Sequence, residues 1–415
     1  MTSITDPLKL PCGAVLKNRL VKAAMSENMS TNDHTSSKLF VHAYDTWNKG
    51  ETGLLITGNV MVDSKHLGEA RNIVIENGQN SGFDQLQKWA QAGTANNTHL
   101  WMQINHPGKQ SPKFLSKTPV APSAVPYTSK LGKMFNSPRE LTESEIEDII
   151  LRFCYTAEIA KKAGFTGVQI HGAHGYLVSQ FLSPKHNIRK DQWGGSLENR
   201  MRFLMCVYNE MRKKLGNDFP ISLKLNSSDF QQGGFSEEDS ISVAKAMADA
   251  GIDLIEISGG TYESPVMTGA KQEKSLTKNT LKREAYFLEY CKKIRLKINI
   301  PLMLTGGFRS LEGMRQAIEL NSCDLIGLAR PLAINPNFSK EVLSGDKFIK
   351  SEVKPITTGF KKLDRMLPLE ILWYTNQIHR LAHGKKTTPD SSPLIMIFKN
   401  IISHGVENLR FVRNK

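Results

Sequence analysis

The chain has 415 residues, 40% of them hydrophobic, enough to bury a large core, and a formal net charge of +14. No window approaches about 18 uncharged apolar residues and no basic segment leads into an apolar run at the N-terminus, which argues against a membrane span or a leader and predicts a soluble, unexported, cytoplasmic protein. The charge alone does not call for nucleic acid or a membrane surface as partner, because no binding motif accompanies it; a solvated basic surface, or attraction for an anionic small molecule, accounts for it.

Taken in chain order, short apolar runs of strand length recur with helix-length gaps between them. They are Arg19–Ala24, Leu54–Thr57, Leu100–Asn105, Gly167–His171, Ile221–Asn226, Leu254–Ser258, Leu302–Thr305 and Asp324–Leu328. Between the third and fourth, Thr142-Glu143-Ser144-Glu145 reads as a capping box. Ile146, Ile149, Ile150, Phe153, Ala157 and Ala160 then repeat at helical spacing until Gly164 ends the helix. Ser236-Glu237-Glu238-Asp239 opens another helix, which Gly251 closes. This alternation predicts an α/β fold, a (β/α)₈ TIM barrel over residues 1–335. Residues 106–140, rich in Pro, Ser and Lys, read as a structureless excursion over an active site. Residues 336–415 read as a short C-terminal helical extension packed on the barrel, with helices at Leu369–Leu381 and Leu394–Ile402. From Asn335 onward 14 Lys and Arg stand against 7 Asp and Glu, half of the chain's excess. The five cysteines are scattered without a C-x-x-C pair and fit reduced thiols.

Barrel enzymes carry their chemistry at the C-terminal ends of the strands, so those ends form a set. They are Ala23-Ala24-Met25-Ser26, Thr57-Gly58-Asn59, Gln103-Ile104-Asn105-His106, then His171 with His174 and Tyr176, then Lys224, Ser258-Gly259-Gly260, Thr305-Gly306-Gly307 and Gly327-Leu328-Ala329-Arg330. Each holds a polar or small residue where a plain core would accept Leu or Val. Small residues after the last two strands let backbone amides approach a phosphate, and Arg330 adds charge. FMN, a sugar phosphate and pyridoxal phosphate all fit such a site. Gln103 and Lys224 lean toward a flavin: a side-chain amide matches N3–H and O2 of the ring, and a cation near N1 favours the reduced anion. A buried structural Gln and a salt-bridged Lys remain the bland alternative.

Asn18-Arg19-Leu20-Val21, Gln103-Ile104-Asn105-His106-Pro107-Gly108-Lys109, His171-Gly172-Ala173-His174-Gly175-Tyr176 and Trp193-Gly194-Gly195-Ser196-Leu197-Glu198-Asn199-Arg200 follow one another in the order found in the Old Yellow Enzyme family of flavin-dependent ene-reductases. The chain resembles that family over roughly residues 5–335. The resemblance implies FMN bordered by Ala23, Ala24, Met25 and Asn59. Ser26 would stand near flavin O4, Gln103 at the pyrimidine edge, and Gly306, Gly307, Ala329 and Arg330 at the phosphate. Lys224 and Lys109 stand where the family has Arg, keeping charge but losing the planar fork. Ser26 replaces Thr or Cys and cannot sense redox as a thiol.

The His171–His174 spacing could also serve a metal, but no third ligand or backing carboxylate is evident, so no metal is expected. The favoured role is two N–H donors on the oxygen of an activating carbonyl or nitro group, with Tyr176 supplying a proton to the α-carbon. The Trp193–Arg200 run reads as structural: Ser196 caps the helix that follows. Together these imply an FMN-dependent oxidoreductase that moves hydride from NADH or NADPH, through flavin N5, to the activated C=C bond of an α,β-unsaturated carbonyl or related small molecule. The alternatives are a (β/α)₈ lyase or aldolase that uses Lys224 on a phosphorylated substrate, and a non-catalytic flavin or anion binder. Homo-oligomerisation is left open.

Overall fold

The computed structural model describes residues 2–78, 82–128, 130–259, 288–306, 308, 310–345, 356–360, 364 and 369–397. Eight parallel strands form a closed ring: β1 (Leu20–Lys22), β2 (Leu54–Met61), β3 (His99–Asn105), β4 (Gly167–Gly172), β5 (Ile221–Asn226), β6 (Leu254–Ser258), β7 (Leu302–Thr305) and β8 (Leu325–Leu328). Closure comes from Ile326 of β8 opposite Leu20 of β1 and from Val21 of β1 opposite Leu54 of β2. Outside the ring lie α1 (Lys38–Lys49), α2 (Phe83–Thr94), α3 (Glu143–Ala163), α4 (Leu177–Leu182), α5 (Leu197–Leu215), α6 (Glu237–Asp249), α7 (Leu311–Glu319), α8 (Arg330–Ile334), α9 (Phe338–Ser344) and α10 (Leu369–Ala382). No helix among the described residues is long and apolar enough to cross a membrane.

Local chemistry sets the element ends. Thr142 and Glu145 form the capping box of α3, and Gly164, at φ 96°, closes it in the left-handed conformation that a Cβ disfavours. Ser196 and Ser236 cap α5 and α6 by accepting from Asn199 and Asp239 amides. Two expectations change. β2 runs on to Met61 through a bulge between Ile56 and Asn59, so Asn59 lies inside the strand. Residues 106–140 are not structureless. They hold a 3₁₀ turn at Gly108–Gln110 and a short ladder of Val120–Ala121 with Arg139–Glu140, and the Pro107 and Pro112 carbonyls accept the nearby amides of Gln110, Leu115 and Ser116. The second C-terminal helix is described only as far as residue 397, with 393–397 helical.

Strand side chains alternate, and the two faces differ in kind. Outward residues pack under the helices in the main core. Inward, the bottom of the barrel is apolar: Val21, Leu54, Ile56, Trp101, Leu254, Met303 and Leu325, sealed below by Leu8, Leu10 and Leu16 of the hairpin formed by Leu8–Lys9 and Val15–Leu16. Gly167 belongs to this layer because a Cβ there would meet the Trp101 indole at 2.5 Å. Two residues further along, the inward positions turn polar: Gln103, Gln169, Lys224 and Glu256 are 2%, 0%, 3% and 0% exposed. The floor of the barrel is a core, and the layer above it is a polar site.

Candidate active site

That polar layer is a continuous chain of side chains. Gln103 Nε2 donates to Gln169 Oε1 at 2.7 Å, and Gln169 Nε2 donates to Glu256 Oε2 at 2.9 Å, reaching from β4 to β6 across the interior face of β5. Lys224 Nζ lies 2.9 Å from Glu256 Oε1. The contact is an ion pair and not an aligned hydrogen bond, since that oxygen still lacks a well-directed donor. Register puts Gln103 beside Gln169, and Lys224 between His171 and Glu256.

Above this layer β4 ends in the two histidines. His174 and Gly175 both take left-handed backbone, φ 62° and 78°, which swings the chain from β4 into α4 and keeps His174 over the barrel mouth. The His174 amide donates to Asn226 Oδ1 at 3.2 Å, and its Nε2 sits 2.7 Å from Ser258 Oγ. His171 Nδ1 accepts from the Ala173 amide at 3.3 Å, so its ring proton belongs on Nε2. The His171 ring meets His174 at 5.1 Å and Tyr176 at 4.8 Å, both edge-on. Burial, and then the Lys224 charge, push both imidazoles well below the usual histidine range. At neutral pH they are uncharged N–H donors. Tyr176 is itself buried, under Gly68 of the loop that follows β2.

The β1 end is held from three sides. Lys22 Nζ, fully buried over the Trp47 ring, bonds Glu27 Oε1 at 3.1 Å and Ile56 O at 2.8 Å. Glu27 Oε2 accepts the Gly58 amide at 3.1 Å, which pins the β2 bulge beside Asn59. Ser26 donates to Glu69, whose carboxyl burial raises above the usual range. Ala23 is buried, with Ala24 packed against the same inner cluster and Met25 against the main core. Beside β1 in the ring, past the ends of β7 and β8, Gly306 takes φ 118° and Ala329 precedes α8; Gly307 lies outside the described residues, as do Gly260 to Glu263. Arg330 Nη2 is 3.0 Å from Glu370 of α10, and its guanidinium lies over Tyr374. α10 also reaches the β1 end, where Thr375 Oγ1 donates to Ser26 O at 3.1 Å and His379 Nε2 sits 2.7 Å from Glu27 O.

The strand ends thus converge on one mouth, and the donor set there suits a flavin. Asn59 Oδ1 and Thr305 Oγ1 are buried at the mouth without partners. Gln169 Nε2 faces a carboxylate, which accepts only, so Gln169 Oε1 must accept from Gln103. Gln103 is left with its Oε1 and a second N–H side by side, the pairing that N3–H and O2 of a flavin require.

Sequence reasoning overlooked Gln169, Glu256 and Glu69. The first two had a signal: each lies two residues above an inward apolar or glycine position, where parity puts it inside the barrel. Glu69 had none, being a loop residue brought to Ser26 by the fold. Among the described residues one group, Asp63, His66 and His106, brings three metal-ligating atoms within 4.8 Å. His106 Nδ1 accepts the Gly108 amide at 3.0 Å, so its Nε2 carries the proton and faces the Asp63 carboxylate instead of a cation.

The model of the NADH:flavin oxidoreductase / NADH oxidase family matches residues 3–347. The NADH-dependent flavin oxidoreductase iliE of Hypocrea jecorina is 36% identical over 356 residues, covering 81% of this chain and 88% of that protein. A 2-naphthoyl-CoA reductase structure superposes with a TM-score of 0.75 at 25% identity, covering 84% of this chain and 53% of its own. The old yellow enzyme homologue from Zymomonas mobilis, at TM-score 0.69 and 24% identity, covers 85% of this chain and 95% of that one; it shares the fold.

Proposed function

The chain belongs to the NADH:flavin oxidoreductase / NADH oxidase family and is an NAD(P)H-dependent flavin oxidoreductase that uses FMN, and from that premise we propose that its electron acceptor is an activated C=C bond of an α,β-unsaturated carbonyl or related electron-poor small molecule. The observation that carries this reading is the pair of buried, uncharged imidazoles, His171 and His174, edge-on to each other and next to Tyr176. FMN, when bound, supplies the hydride chemistry. His171 Nε2–H and a ring N–H of His174 grip the acceptor's oxygen and draw electron density from its β-carbon. Tyr176 gives its hydroxyl proton to the α-carbon as hydride reaches the β-carbon.

In the same reading Ala23, Ala24, Met25, Ser26 and Asn59 border the ring, Gln103 takes its pyrimidine edge and Lys224 its N1 side. Gly306, Gly307, Ala329 and Arg330 take the phosphate, residues 1–335 form the barrel unit and 336–415 its extension. Family membership retires the lyase alternative for Lys224. Two steady-state observations test the acceptor. Initial rates with NADH or NADPH and 2-cyclohexenone should give parallel double-reciprocal lines, because one site serves both substrates in turn. A phenol, which mimics an enolate, should give a long-wavelength charge-transfer band with the bound flavin. A protein that oxidises NAD(P)H with quinones or oxygen but neither reduces enones nor binds phenols would overturn the acceptor assignment.

A further inference from the structure

The buried chain Gln103–Gln169–Glu256–Lys224 contains one acidic group, and that group lies at the junction of its two arms. Glu256 is 0% exposed on β6 and touches Lys224 through one oxygen and Gln169 through the other. We propose that Glu256 is a positioning residue that sets both how Gln103 presents its amide and how much of the Lys224 charge reaches the cofactor. The inference rests on the FMN reading above.

The first arm works through hydrogen-bond polarity. A carboxylate can only accept, so it fixes which end of the Gln169 amide faces it, and Gln169 in turn fixes Gln103. Neither amide has an internal reason to choose one of its two flips. Replacing the carboxylate by an amide, which both donates and accepts, releases the whole row. In half of the arrangements Gln103 then offers a donor where N3–H needs an acceptor.

The second arm is Coulombic. An isolated ammonium near N1 would strongly favour the reduced anionic ring. Here the ammonium has a carboxylate 2.9 Å away, so the ring meets a dipole and not a net charge. Glu256 therefore holds the bound flavin's potential below what Lys224 alone would impose. Such an arrangement suits a site that must give up its electrons readily once NAD(P)H has delivered them.

The test uses the holoenzyme, with FMN affinity read by flavin fluorescence and midpoint potential by dye-coupled reduction. In Glu256→Gln the potential should rise and the dissociation constant for FMN should increase about tenfold. In Gln169→Leu, which cuts the first arm and leaves the ion pair, affinity should fall by a similar factor with no comparable rise in potential. That variant buries no charge, so it reports on the first arm even if Glu256→Gln fails to fold. A purely structural Glu256 would change thermal stability and leave the potential in place. An unchanged or lowered potential in Glu256→Gln, or unchanged FMN affinity in Gln169→Leu, overturns the proposal. If the wild-type chain takes up no FMN at all, the flavin reading itself fails instead.

Discussion

At the residue scale the site divides its labour between groups with different surroundings. His171 and His174 are kept neutral by burial and by Lys224, so they suit hydrogen-bond donation more than proton transfer. Tyr176 packs edge-on against His171 at 4.8 Å and begins α4. Tyr176→Phe removes one hydroxyl and keeps the ring, so packing and flavin content should survive. Stopped-flow reduction of the flavin by NAD(P)H should be nearly unchanged, while the enone half-reaction should slow by about 10²–10⁴-fold, the usual worth of a positioned general acid. Equal slowing of both half-reactions, or of neither, would show that the proton comes from elsewhere.

Individual elements deliver these residues to one mouth. The β2 bulge carries Asn59, and the buried Lys22–Glu27 pair anchors it through the Gly58 amide. α10 ties the C-terminal extension to the same strand end through Ser26 O and Glu27 O. β4 depends on a close approach lower down, where the Trp101 indole fills the space next to Gly167. An added Cβ would lie 2.5–2.8 Å from three atoms of that fully buried, rigid ring. Gly167→Ala should therefore cost about 1–3 kcal/mol, read as a lowered urea midpoint with unchanged slope. A midpoint within error of wild type would mean that the barrel floor can yield.

Across the whole molecule, the buried histidines make stability depend on pH. Burial, with the Lys109 charge beside it, pushes His186 down to about 3; burial, with His106 beside it, pushes His66 down to about 4; His171 and His174 lie well below the ordinary value. The unfolded chain titrates its histidines near 6.5. Above that pH neither state binds the extra protons, and the full stability is present. Below it the unfolded state takes up protons that the folded state refuses, so stability falls as pH falls, by up to about 1.4 kcal/mol per pH unit for each such histidine. Urea midpoints should accordingly decline from pH 7 to pH 5. His186→Asn, which can still accept from Lys109 but does not titrate, should show a shallower decline. An equal slope in the two proteins would mean that His186 titrates in the fold as it does in the unfolded chain.

The sequence by itself determined the eight strands, the caps of α3, α5 and α6, and the cluster of titratable groups at the end of β4. Each of these signals is local: alternation, capping side chains and glycine turns act over a few residues, and a barrel then sends every strand end to one face. The same motifs carried the family. What only the tertiary structure decided is which polar groups meet. Gln169 and Glu256 bond across 87 positions of chain, and Thr375 finds Ser26 O across 349. Glu69 reaches Ser26 from a loop with no pattern of its own. The sequence could place Lys224 near the mouth but not show that a carboxylate stands against it. Such pairs depend on the register at which the ring of strands closes and on where the extension docks, and both are set by the packing of the whole core.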